Sequence, residues 1–427
     1  MAETEVLQGE VQEVGPTSQA DLVVAVPAPA GSDVLSATAE RVAGACRLLA
    51  TPCSVMFALP AETGNGTPRT LDSDGAANGG GPPFRYVNYS APSSDPTAMP
   101  WLADSNSLRA IFSLAAELNA RACTVLGTES GFNRGDIAAD KLVLLLGPGL
   151  EGNFDLVMPL YTAQAFDDLV NKSILYPLTC ALYGHRVRNP LANEVQISSR
   201  MFSPLRATVG KDAGRQQARL LWPATTACNQ NLKTCQVHVG LRQPQNHGGI
   251  ELSDALAQLV GPLFLDMEDN AAFWQRIRGS HEVPTFGTPE PALQSTEDVQ
   301  VRPMLEAFQL GVRNLRDIWS LILPPVTLLE LKKLANLSAE EFRLPDGLWA
   351  RIVYDFALAS RLRNIHRAHL FGALTPIYLG WAASYAMEIN QAGFATAAER
   401  VERLARAYES EKPYLLSRWR WPDRFHP

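Results

Sequence analysis

Along the first third of the chain, short unbroken apolar runs alternate with segments whose apolar residues recur every three to four positions. Asp21-Leu-Val-Val-Ala-Val-Pro27 reads as a strand, and Ser36 to Ala50 as a helix with Val42, Ala45, Cys46 and Leu49 on one face. Further strands are expected at Ser54–Leu59, Phe84–Tyr89, Cys123–Leu126 and Phe154–Leu160, with helices at Ser105–Ala120 and Asp136–Leu146. Unbroken apolar strands suit a sheet covered on both faces. Their alternation with helices predicts an α/β doubly wound architecture. In such sheets ligands sit beyond the carboxyl ends of the strands, so chemistry is sought there.

The same pattern divides the chain. Residues 1–20 read as a flexible acidic tail and 21–280 as the α/β domain, with 61–83, rich in Gly, Asn, Asp and Pro, as a mobile surface loop. The proline-rich stretch 281–300 reads as a linker. Residues 301–427 have helical periodicity and hold Trp319, Trp349, Trp381, Trp419 and Trp421, which predicts a helical C-terminal domain. Leu370 to Met387 carries no charge, but Gly372, Pro376 and Gly380 interrupt it. It fits a buried helix better than a membrane span, which needs about 20 strongly apolar residues.

Composition narrows the classes. Lys and Arg number 37 against 44 Asp and Glu, for a formal charge of −7, and apolar residues make up 46%. These values argue against a disordered chain and against a basic nucleic-acid binder. The six cysteines form no C-x-x-C pair, and the chain opens on acidic residues without a basic-apolar leader. A zinc site is not expected, and free thiols in a reducing cytoplasm are.

Several strings go further: Asp155-Leu-Val-Met-Pro-Leu-Tyr161, Lys172-Ser-Ile-Leu-Tyr-Pro-Leu-Thr179, Ala181-Leu-Tyr-Gly-His-Arg-Val-Arg188, Trp222 to Gln236, and Tyr378-Leu-Gly380. In this order they resemble retaining glycosyltransferases of family 2 type with the GT-A fold, related to glucosylglycerate and mannosylglycerate synthases. The resemblance runs from about Asp21 to Trp419. It implies an α/β domain that binds a nucleotide sugar, a helical C-terminal region, and hexosyl transfer to a small hydroxy acid such as a glycerate. It also implies Mg²⁺ or Mn²⁺, bound by oxygen ligands, to neutralise the departing diphosphate.

By that resemblance the metal motif Asp-x-Asp falls at Gly127-Thr-Glu129. Gly127 replaces the first acid and Glu129 keeps the second. The nucleotide contacts fall at Pro27 and around Glu62 and Thr67. A Gly-Lys-Gly turn is replaced by Leu102-Ala-Asp104, and the distal His ligand is missing near Gln243 to Gln245, with His247 close by. Glu194 keeps the acid that would orient an acceptor hydroxyl. Each site residue has a plainer reading beside it: Glu129 as a solvated loop acid, His247 as an exposed side chain, Glu194 as a loop acid paired with Arg188 or Arg200. His185, Arg186 and Arg188 read either as an anion-binding patch or as a solvated charged turn. Thr225 and Thr226 read as caps of a helix running from Asn229. Arg418-Trp-Arg-Trp-Pro422 reads as a packed terminal segment rather than an RNA-stacking one.

Two functions therefore stand: an active glycosyltransferase, and a pseudoenzyme that keeps the fold for binding or assembly. A homo-oligomer is compatible with either.

Overall fold

The computed structural model describes residues 11–13, 19–27, 32–50, 52–60, 69–72, 85–89, 105–127, 138–191, 194–210, 223–241, 250–290, 299–393 and 396–420. The chain divides into two compact units. The first comprises 1–162, 191–246 and 283–290, and the second 163–190, 247–282 and 291–427.

Among the described residues, the first unit is built on a ten-stranded mixed sheet. Its strands are β1 (Val11–Glu13), β2 (Leu22–Ala25), β3 (Val55–Pro60), β4 (Arg69–Asp72), β5 (Arg85–Tyr89), β6 (Ala122–Leu126), β7 (Leu156–Thr162), β8 (Glu194–Ser198), β9 (Thr234–Leu241) and β10 (Thr285–Phe286). They lie in the order β1-β4-β5-β3-β2-β6-β8-β7-β9-β10. Pairing is parallel from β5 through β3 and β2 to β6, and again from β7 to β10. Strand β8 runs antiparallel between β6 and β7, and β4 antiparallel between β1 and β5. The apolar runs are strands for the expected reason: Leu22, Val23, Val24 and Ala25 are all fully buried, as are Ala122 and Cys123.

Helices Ser32–Leu48 and Ala139–Leu150 cover one face. Val42, Ala45, Leu142, Leu145 and Leu146 pack there against Leu22, Val24, Phe57, Leu126, Val157 and Val237. Helices Ser105–Glu117 and Ser199–Gly210 pack on each other and against strands of the same sheet.

Where strands were not expected, backbone pairing supplied them. Val11–Glu13, placed in the tail, pairs with Arg69–Asp72, placed in the mobile loop. Thr285–Phe286, placed in the linker, pairs with Gln236 and Val237. Edge strands need only main-chain hydrogen bonds, which leave no apolar pattern to read. The helix expected from Asn229 instead spans Pro223–Asn229 and ends there. Thr225 and Thr226 lie inside it, buried, and Asn231 takes a positive φ of 53° just beyond.

The second unit is helical, and it takes in segments expected in the α/β domain. Residues 163–190 and 247–282 group with 291–427 rather than with the sheet. Helices Asp346–Leu362, Arg367–Ala392 and Ala397–Arg420 form its centre. Trp381 stacks on Trp349 at 6.1 Å and on Tyr385 at 5.2 Å. A π-helical turn, Asn171–Leu175, leads into helix Tyr176–Tyr183. Its wider turn loosens the main-chain ladder, and the Ser173 carbonyl accepts from Trp349 Nε1 (3.0 Å) and the Tyr408 hydroxyl (2.8 Å). Lys412 is buried and donates to the carbonyls of Ala181 (2.7 Å) and Ile277 (2.9 Å). The uncharged segment 370–387 lies inside a largely buried helix, and among the described residues no helix is long and apolar enough to cross a membrane.

Two predictions follow from these contacts. In an ordinary helix, Gly→Ala stabilises by about 0.5–1 kcal/mol. At Gly149 a Cβ would lie 2.2 Å from Gln196 Oε1 and 2.7 Å from its Cδ. The Gln196 side chain would have to leave, so Gly149→Ala should instead cost about 1–3 kcal/mol in urea unfolding. Burial pushes the Lys412 ammonium down to about 8 from its ordinary 10.5. The unfolded chain then binds more protons than the folded one between those values, so this group makes stability rise with pH across that window. The stability of wild type relative to Lys412→Met should rise between pH 8 and 10.5 in urea unfolding, because the other groups titrating there are common to both.

Candidate functional site

Among the described strands, the order of the sheet reverses at β2, a topological switch point. From β2 the chain passes to β3 and β5 on one side and to β6, β8, β7 and β9 on the other, so the carboxyl ends of β2 and β6 flank the crevice where α/β sheets bind ligands. Pro27 follows β2 and is buried. Tyr89, at the end of β5 and only 3% exposed, donates its hydroxyl to the Val26 carbonyl (3.1 Å), tying down the exit from β2. Gly127 follows β6 directly.

Because β8 is reversed, its first residue stands at the carboxyl end of its neighbours. Register places Glu194 beside Leu126, the last residue of β6. Glu194 is 2% exposed and accepts a hydrogen bond from the Tyr161 hydroxyl on β7. It is thus a strand carboxylate inside the sheet layer. The alternative of a loop acid paired with Arg200 is set aside: Arg200 bridges Asp155 at 2.6 Å. Arg188 pairs with Glu402 at 2.8 Å, both in the helical unit.

Glu194 heads a row of polar side chains on one face of β8. Gln196 accepts from the Gly149 N–H (3.0 Å) and donates to the Leu146 carbonyl (2.7 Å). Ser198 donates to Asp155 Oδ1 (2.8 Å), while Asp155 Oδ2 accepts from the Lys233 N–H (2.9 Å). All four side chains are buried. A buried polar group without a partner costs about 1–3 kcal/mol, and each of these has one. Farther along the same edge, Thr162 donates to the Glu290 carbonyl (3.0 Å), and Lys141 faces the Glu290 carboxylate at 3.6 Å. His238 lies below its ordinary pKa, first through desolvation and then through the nearby Lys141 charge.

Of the residues singled out from sequence, Glu194 and Pro27 lie at this edge. Glu62, Thr67, Glu129 and His247 lie outside the described residues. Among the described residues no group of three or more His, Cys, Asp and Glu side chains is arranged to hold a metal. A single carboxylate is a poor site for a hard cation such as Mg²⁺ or Mn²⁺. Tyr161 is a candidate site residue without a signal in the sequence. It closes a string quoted for the resemblance, but its link to Glu194 spans 33 positions and depends on β8 being reversed.

The basic segment is neither an open anion patch nor a solvated turn. Within the helical unit, Arg186 pairs with Glu402 and with Glu409 (3.2 Å) and donates to Ser280 (2.9 Å). Its charge is answered by the helix Ala397–Arg420.

No protein-family model matches the chain. No curated protein is similar to it in sequence. A solved structure described as the crystal structure of a mycobacterial protein is similar over 59% of this chain and 76% of its own, at 14% identity and a TM-score of 0.34.

Tyr161→Phe should cost about 1–3 kcal/mol by leaving a buried carboxylate short of a donor. In a Glu194→Gln background the same change should cost less. A double-mutant cycle in urea should return a coupling of at least about 0.5 kcal/mol, and zero coupling would separate the two side chains energetically.

Proposed function

We propose that this chain is a GT-A-type glycosyltransferase relative, and that its sheet edge binds a nucleotide sugar together with a small hydroxylated acid such as a glycerate. The observation that carries this reading is Glu194, a carboxylate kept buried at the carboxyl edge beside the switch point. Holding an acid in that place is costly, and a fold that needed only packing would be served better by an apolar residue. The Tyr161 hydroxyl holds that carboxylate in place, as a group that orients an acceptor hydroxyl would need to be held. The order of family-like strings along the chain supports the same reading, as do the mostly parallel sheet and the helical unit. All six cysteines are free, in keeping with a reducing cytoplasm.

A second reading, a pseudo-glycosyltransferase that binds without turnover, is favoured by one observation. Gly127, immediately after β6, occupies the place where the resembled family carries the first acid of its metal motif. One carboxylate fewer weakens the hold on a divalent cation and leaves diphosphate charge less well neutralised.

Calorimetric titration of the full chain with UDP-glucose and with GDP-mannose, each with and without Mn²⁺, separates the readings. The enzyme reading expects metal-dependent binding of one donor, and hexosyl transfer to glycerate that falls at least about 100-fold in Glu194→Gln, the scale for losing a positioned catalytic carboxylate. Donor binding without turnover would establish the second reading. No binding of either donor at millimolar concentration would sink both.

A further inference from the structure

The helical unit carries an apolar surface that its own packing does not explain. Large apolar side chains left exposed among the described residues concentrate between 310 and 337: Leu310 (52%), Leu321 (54%), Val326 (60%), Leu329 (59%) and Leu337 (37%). Single exposed leucines are ordinary, whereas a cluster of them on and just beyond consecutive helices marks a contact surface. The helices are Val301–Asn314, Arg316–Ser320 and Pro325–Ala335.

Between the first and third of these helices lies a half-open groove of about 580 Å³. Its floor includes Trp319 and Leu331, each 1% exposed, and Leu329 stands on its wall. Val326 precedes Leu329 by one helical turn, and Leu310 precedes Arg313 by one turn, so each shares a helix face with a residue that lines the groove. Its charged lining is of one sign. Arg313, Arg316 and Lys332 line it and no carboxylate does. None of the three makes an ion pair or side-chain hydrogen bond among the described residues, although the chain as a whole carries −7. The acid nearest in sequence to Lys332, Glu330, is turned towards Arg351 at 3.6 Å.

We infer that this groove docks an amphipathic helix of a partner protein, with apolar residues spaced i, i+3/i+4, i+7 towards the floor and Asp or Glu along its flanks. A trough between two helices accepts the ridge of a third, and helix-in-groove recognition is read through such anchors. The unopposed guanidinium and ammonium groups at the margin select acidic flanks and speed encounter. A nucleic acid fits poorly, because the apolar surface is leucine and valine rather than the stacked aromatics that bases need.

The test is panning of a random peptide phage library, with peptides of about 15 residues, on the immobilised full chain. Binding of the enriched synthetic peptides is then followed by fluorescence anisotropy. Enriched sequences should combine helical apolar spacing with net negative charge. Their affinity should fall at least tenfold on Leu329→Asp and on Arg313→Glu/Lys332→Glu, and should weaken with added salt. Leu329 is exposed, and an unchanged melting curve would show that these variants still fold. Absence of an enriched pattern, enrichment of neutral or basic peptides, or affinities indifferent to the variants would each overturn the inference. So would a homodimer in sedimentation that Leu329→Asp disperses, since a second copy would then be the occupant. Leu329-dependent binding to phosphatidylserine vesicles would overturn it in favour of a lipid surface.

Discussion

The first unit is organised around a reversed strand that brings polar side chains into an apolar layer. Strand β8 lies between β6 and β7, and alternate residues Glu194, Gln196 and Ser198 face the same side of the sheet. Each is met by a fixed partner: the Tyr161 hydroxyl, the main chain of helix Ala139–Leu150, and the Asp155 carboxylate. Those partners determine the surroundings. Gly149 has no Cβ where Gln196 enters, and Asp155 closes the turn before β7 by holding Ser198, Arg200 and the Lys233 amide. A shift of β8 by one residue would turn all three polar groups to the opposite face and leave their partners unmatched, so register is strongly specified.

The same logic operates in the helical unit with different groups. A π-helical turn offers the Ser173 carbonyl to Trp349 and Tyr408, and Lys412 reaches two further carbonyls, those of Ala181 and Ile277. Arg186 and Arg188 are neutralised by Glu402 and Glu409 from helix Ala397–Arg420. Segments far apart in sequence are thereby fastened to one another by polar contacts inside an aromatic core. The chain order of the unit is therefore a poor guide to its extent. By contrast, Arg313, Arg316 and Lys332 meet no such acids among the described residues, which is why they read as surface with an outward task.

Legibility differed from element to element. The strands Leu22–Ala25, Val55–Pro60 and Ala122–Leu126 and the helix Ser105–Glu117 were readable because burial on one or both faces leaves a periodic apolar record. Strands Val11–Glu13, Arg69–Asp72 and Thr285–Phe286 were not, since short strands at or next to a sheet edge join it through main-chain groups that every residue carries. At the site, Glu194 was visible as an acid in a family-like position and Pro27 as the residue that ends a strand. Tyr161 was invisible, because a tyrosine closing an apolar run looks like packing until its partner is known.

Taken alone, the sequence determined the α/β alternation, the helical C-terminal region and the presence of an acid at position 194. Those features follow from local periodicity and composition, which the chain carries in itself. Only the tertiary structure decided that Glu194 is a buried strand residue held by Tyr161, that Arg186 and Arg188 are neutralised by Glu402 and Glu409, and that residues 163–190 belong with the helices. The physical reason is that the worth of a charge depends on its surroundings. Whether a carboxylate or guanidinium is solvated, paired or unopposed depends on residues dozens to hundreds of positions away, and strand order and helix packing bring those residues to it.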